Sequence, residues 1–116
     1  MKRLKNHLVG VDQGSVPMFS DFENDGEMWT GDGPRKCSRR ITFAEAYQTP
    51  PSVHVSISMW DTGADRNQRA DISAEGINTT GFDLVFRTWG DSRVARIRAD
   101  WLAIGALHDD DTWDVE

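Results

Sequence analysis

Asp21, Glu23, Asp25 and Gly26 stand where a twelve-residue calcium loop has its first, third, fifth and sixth positions, and Asp32 stands at the twelfth. Carboxylate oxygens at that spacing can wrap a hard cation, so metal binding is the first chemistry to weigh. The neighbouring residues argue against it. Such a loop lies between two helices, and VGVDQGSVPMFS, which precedes it, has no helical period. Asp32 is shorter than the Glu that chelates through both oxygens at the last position, and Trp29 fills the ninth, where a small oxygen-bearing side chain is usual. Gly31 and Gly33 flank Asp32, which gives a bent backbone with accessible amides. A carboxylate beside exposed amides suits a neutral polyol better than a metal, and no metal or other cofactor is expected.

Catalytic constellations are missing. The chain has neither a G-x-S-x-G elbow nor an H-E-x-x-H helix. His7, His54 and His108 are scattered without an evident nucleophile and carboxylate. Acidic residues are numerous enough for chance pairs, so a glycosidase reading has little behind it. The single cysteine, Cys37, excludes an internal disulfide and reads as a surface or interface thiol. The acidic end HDDDTWDVE reads as a solvated tail, and Asn78-Thr79-Thr80 as a turn that happens to match a glycosylation sequon. A formal net charge of -6 argues against nucleic-acid binding. The local cluster Arg35, Lys36, Arg39 and Arg40 is then a solvated loop and strand end. No stretch approaches membrane-spanning length, so no membrane insertion is expected. MKRLKNHLVGVDQGS makes a poor secretion signal, which leaves a cytoplasmic location and export without cleavage both open.

Such residues need a scaffold, and its pattern is period two. VHVSISMW sets Val53, Val55, Ile57 and Met59 against His54, Ser56, Ser58 and Trp60, which places Trp60 facing outward at a strand end. RADISAE sets Ala70, Ile72 and Ala74 against its charges, FDLVFRTW sets Phe82, Leu84 and Phe86 inward, and RVARIRADWLAIG does the same with Ala95, Ile97, Ala99, Trp101 and Ala103. Turn residues separate them: Pro50-Pro51, the loop from Asp61 to Asn67, Asn78 to Gly81, and Gly90-Asp91-Ser92. Short strands with Gly- and Asp-rich turns predict an all-β protein, an antiparallel β-sandwich. Residues 1–28 read as an extended segment with room for one short strand, 29–106 as the sandwich, and 107–116 as the acidic tail. The outward charges Arg96, Arg98 and Asp100, with Arg69, Asp71 and Glu75 on a neighbouring strand, fit either an ordinary solvent face or an oligomer interface.

RRITFAEAYQTPPSVHVSIS, RADISAEGINTTGFDLVFRTW and DSRVARIRADWLAIG, in that order, resemble the H-type lectin domain, the family of the discoidins and the snail agglutinins. The resemblance runs from about Trp29 to Gly105. It implies a six-stranded antiparallel sandwich assembled into trimers, sometimes paired into hexamers. It also implies sites between subunits for galactose-type sugars, above all N-acetylgalactosamine, and it moves the charged strand faces towards the interface reading. Carried over position by position, the family's binding Asp matches Asp32, eleven residues before Phe43 and preceded by Thr30 and Gly31. Its binding Arg matches Arg69, and its Trp after a Thr matches Trp89. Gly90 and Ala95 replace the His and Tyr of the snail-type members.

The chemistry stands without the family. A carboxylate accepts from two vicinal hydroxyls, an Arg fork donates to ring, hydroxyl or acetamido oxygens, and an indole covers the C–H face of a galactose-type ring. Each contact contributes ~1–3 kcal/mol, so one site is weak and multivalency has to supply avidity. Each residue also has an ordinary role open to it: Asp32 capping a turn, Arg69 pairing with Asp71 or Glu75, Trp89 packed in a core or an interface. The expected function is therefore a carbohydrate-binding domain. The alternative is an assembly module of the same fold that binds no sugar.

Overall fold

The computed structural model describes residues 1–5 and 7–109. Its strands are β1 (Val9–Ser20), β2 (Arg35–Thr42), β3 (Ser52–Thr62), β4 (Asp71–Glu75), β5 (Gly81–Thr88) and β6 (Val94–Ala106), with one short helix, α1 (Glu27–Thr30). They form two three-stranded antiparallel sheets, ordered β1-β6-β3 and β2-β5-β4. The fold is the antiparallel sandwich expected from the period-two pattern, with the six strands that the family resemblance implies. The first strand is longer than expected: twelve residues of the N-terminal segment pair along nearly the whole of β6. Its Gly, Asp and Pro content masked the alternation that a strand of Val and Ile displays.

The core follows the alternation. Phe82, Leu84 and Phe86 of β5 face Ile97, Ala99, Trp101 and Ala103 of β6, all buried. The alanines of β6 leave room for the rings opposite, and Phe43, Phe82 and Trp101 meet with centroids 5.7–6.0 Å apart. Burying a large apolar side chain contributes about 1.5–3 kcal/mol, so this aromatic cluster anchors one end of the sandwich. Asn78 behaves as a turn residue, its side-chain oxygen accepting the amide hydrogens of Thr80 and Gly81 at 2.9 Å.

Two expectations about β3 fail for one reason. Its register against β6 slips between Ile57 and Met59, a β-bulge. One extra residue reverses every side chain after it. Met59 therefore lies opposite outward-facing Arg98, and Trp60 lies opposite buried Ile97, on the inner side of the sheet. The charged rows are also rearranged. β4 is in the other sheet from β6, so Arg69, Asp71 and Glu75 do not neighbour Arg96, Arg98 and Asp100. Arg96 pairs with Asp61 at 3.0 Å, Arg98 donates to Ser58, and Arg87 grips both oxygens of Glu75.

The connections alternate between the two ends. Residues 21–34, 63–70 and 89–93 gather at one end, and the 43–51 and 76–80 turns lie at the other. The acidic tail expected over 107–116 lies outside the described residues from position 110 onward.

Candidate functional site

All six expected sugar contacts fall in the three connections at one end: Thr30, Gly31 and Asp32 in the first, Arg69 in the second, Trp89 and Gly90 in the third. The fold brings together positions up to 60 residues apart in sequence.

The first connection is shaped by its own acids. Asp21, the would-be first calcium ligand, accepts the amide hydrogen of Met28 at 3.0 Å and holds the start of α1. Among the described residues, no three His, Cys, Asp or Glu side chains gather where an ion would fit. Gly31 gives its amide hydrogen to Glu27 at the end of α1, where a Cβ would come 2.6 Å from that carbonyl oxygen. The chain then turns through Asp32, which is exposed, and Gly33 donates to the carbonyl of Gly90 at 2.8 Å. Both Gly33 and Gly90 have positive φ, 77° and 69°, which side-chain-bearing residues adopt at a cost.

Arg35 makes this junction rigid. It was expected to be solvated with its basic neighbours, yet it is buried at 6% exposure. Its guanidinium donates to the carbonyls of Gly33, Glu27, Met28, Ser92 and Gly90 at 2.9–3.3 Å. Nε takes Gly33, Nη1 shares its hydrogens among Glu27, Met28 and Ser92, and Nη2 takes Gly90, an in-plane array to which the guanidinium fork is suited. The other basic residues are mostly engaged as well: Arg39 donates to Met18, and Arg40 to Asp83 and Asn78. Cys37 is also drawn inward. Its thiol lies half-buried, 3.4 Å from the Met18 carbonyl, and burial pushes its pKa up.

The second connection is pinned by Ser92, which is fully buried. Its hydroxyl oxygen accepts the amide hydrogen of Arg69 at 2.9 Å and lies 2.9 Å from the Asn67 carbonyl. Thr88 donates to the Arg69 carbonyl at 2.5 Å. The backbone of Arg69 is thus fixed on both sides while its guanidinium makes no hydrogen bond or ion pair among the described residues. The ordinary role open to it, a salt bridge to Glu75, is taken by Arg87. The Arg69 side chain passes beside Gly90, where a Cβ would sit 3.3 Å from its Nε.

Trp89 is 42% exposed. It walls a pocket of about 320 Å³ with Pro34, Arg35, Lys36, Arg87 and Thr88. The indole is therefore not a core residue, and the described residues leave part of it open. Thr30 differs from its five companions. Its hydroxyl donates back into the turn, to the carbonyls of Asp25 and Gly26, at 3.3 and 3.0 Å. Ala95, where the snail-type members carry Tyr, is buried, and its carbonyl accepts from the amides of Asp21 and Phe22.

The arrangement thus offers an exposed carboxylate, an unspent guanidinium and an open indole around one rigid glycine junction. The H-type lectin domain model matches residues 38–104. The chain belongs to the H-type lectin family. The matched stretch contains Arg69, Trp89 and Gly90, and the Asp32 loop precedes it. Among relatives of this H-type lectin domain, one named ATP synthase subunits region ORF 7, from Fuscovulum blasticum, is 54% identical over 93% of this chain and 94% of its own length. Discoidin-2 from Dictyostelium discoideum is 32% identical over 90% of this chain but 38% of its own length, so this chain spans well under half of that relative. The solved structure of recombinant discoidin II superposes with a TM-score of 0.75 at 27% identity, over 93% of this chain and 40% of that one.

Arg35 and Ser92 are the positioning residues that the sequence reading missed. An Arg beside Lys36 and a Ser in a Gly-Asp-Ser turn look like surface residues. Only the folded contacts reveal that both are buried.

Proposed function

We propose that this H-type lectin domain is a non-catalytic carbohydrate-binding module. It recognises terminal galactose or N-acetylgalactosamine at sites completed between subunits of a trimer, on glycan-bearing surfaces such as those of cell adhesion. The observation that carries the reading is the convergence of Asp32, Arg69 and Trp89 on the Gly33–Gly90 junction, with the Arg69 guanidinium unpaired among the described residues. In this reading Asp32 accepts from vicinal hydroxyls, Arg69 donates to a ring or acetamido oxygen, and Trp89 covers the C–H face of the ring. Gly31 and Gly90 leave the backbone bare beside the ligand, and Thr30 holds the turn behind it. Family membership and the discoidin relatives support the carbohydrate class. The family pattern supports a trimer, and pairing of two trimers would give a hexamer.

The buried Ala95 and the bare Gly90 favour one rival, an assembly module of the same fold, because they reduce the aromatic wall. A glycan array separates the two. The protein and Asp32→Ala are probed side by side at matched oligomeric state. Binding to terminal galactose or N-acetylgalactosamine that the variant loses is the expected result. A folded trimer that binds no glycan leaves the assembly module.

A further inference from the structure

The bulge in β3 leaves an indole where the sugar-site reading has no use for one. Trp60 is on the inner side of its sheet, opposite Ile97, and yet 67% exposed. It stands where the two sheets part at the end that carries Asp32, Arg69 and Trp89. With Thr62, Gln68, Arg69 and Ala70 it encloses a pocket of about 290 Å³, floored by Phe86, Val94 and Ile97. The pocket has one aromatic wall, an apolar floor and a polar rim, the composition of a small-ligand site.

The rim is chemically open. The Arg69 guanidinium has no partner among the described residues. Gln68 spends its amide hydrogens on the carbonyls of Gly63 and Arg66, which fixes the side chain and leaves its oxygen free to accept. An acceptor and a cationic donor thus lie on one side of an indole. A pyranose ring offers hydroxyls to both and a C–H face to the third. A flat aromatic ligand would leave the Gln68 oxygen and the Arg69 fork unanswered, at a desolvation cost.

Arg69 also joins this pocket to the site already described. The same side chain passes Gly90, whose carbonyl holds the Asp32 loop through Gly33. We propose that Trp60, Gln68 and Arg69 form a second sugar-ring subsite contiguous with the Asp32–Arg69–Trp89 site, so that the ligand read is an oligosaccharide of at least two rings. Arg69 is the shared contact between the two rings. The inference rests on the carbohydrate reading and specifies the ligand's length.

The test is a calorimetric titration of the protein and of Trp60→Ala with N-acetylgalactosamine and with a galactose-terminated tetrasaccharide. The mass of each assembly in solution is measured alongside. Trp60 is an exposed rim residue, so its truncation leaves the core intact. The wild type is expected to bind the tetrasaccharide about tenfold more tightly than the monosaccharide. In Trp60→Ala that preference falls to near unity, with monosaccharide affinity and assembly mass unchanged, and Trp60→Phe keeps part of it. An unchanged preference in Trp60→Ala overturns the subsite and leaves the lectin reading standing. A change in assembly mass makes Trp60 an interface residue and also overturns it. Failure of the wild type to bind either sugar removes both readings together.

Discussion

The buried hydroxyl of Ser92 accepts the amide hydrogen of Arg69 at 2.9 Å, across 23 residues of sequence. That bond joins the connection before β4 to the one before β6 and sets where the Arg69 side chain, whose guanidinium has no partner among the described residues, begins. Removing a buried acceptor strands its donor, and a stranded donor costs more than a hydrogen bond contributes.

Ser92→Ala is therefore expected to lower stability by about 1–3 kcal/mol, since it leaves the Arg69 amide without its acceptor. It is also expected to weaken sugar binding without altering any residue that would touch the sugar. Urea unfolding measures the first effect and titration with N-acetylgalactosamine the second. A variant with normal affinity would mean that the Arg69 backbone is held adequately by Thr88 alone.

Arg35→Lys keeps the charge and loses the fork. An ammonium has three donors on a flexible stem, which cannot reach five carbonyls arrayed around a plane. The expected outcome is a loss of about 3–6 kcal/mol, at the scale of two charge-assisted hydrogen bonds. Faster amide hydrogen exchange should follow at Gly33 and through the 89–93 connection. Exchange confined to the 27–30 helix would show that the fork serves α1 rather than the junction.

The Glu75–Arg87 pair makes a prediction about pH. Hydrogen bonds from Arg87 and then from Ser73 lower the Glu75 pKa from 4.5 to about 2. The native state therefore holds its proton less tightly than the unfolded chain. Its contribution to stability is complete above 4.5 and disappears as the pH falls towards about 2. The pair is exposed, so the effect is small. Melting temperatures of the wild type and Glu75→Gln should differ at neutral pH and converge at the acid end of that window. A constant difference across it would show that the glutamine costs stability for some other reason.

Much of this molecule could be read from the chain because strand alternation is a local property. Phe82, Leu84, Phe86, Ile97, Ala99 and Trp101 announce their face by spacing alone, and all are buried. The candidate site was legible only in the residues proposed to face a ligand, through the order of Asp32, Arg69 and Trp89. Arg35 and Ser92 were not legible, because their partners are backbone carbonyls and amides brought near by the fold, and no residue type advertises those. Trp60 was misplaced because a β-bulge is a choice of register between two strands, absent from the alternation of either one. The length of β1 was hidden by residues that extend readily but do not alternate.

Val9 at the start of β1 lies beside Ala106 at the end of β6. The sandwich is thus entered and left at one pole, and the three connections bearing Asp32, Arg69 and Trp89, with Trp60 near the end of β3, crown the other. Anything joined to either end of the sandwich, whether another domain or an immobilising tag, becomes a handle on the far side from the crown. The domain is built like a stamp, gripped at one end with the proposed printing face at the other, and fusions at the ends of the sandwich should leave that face clear.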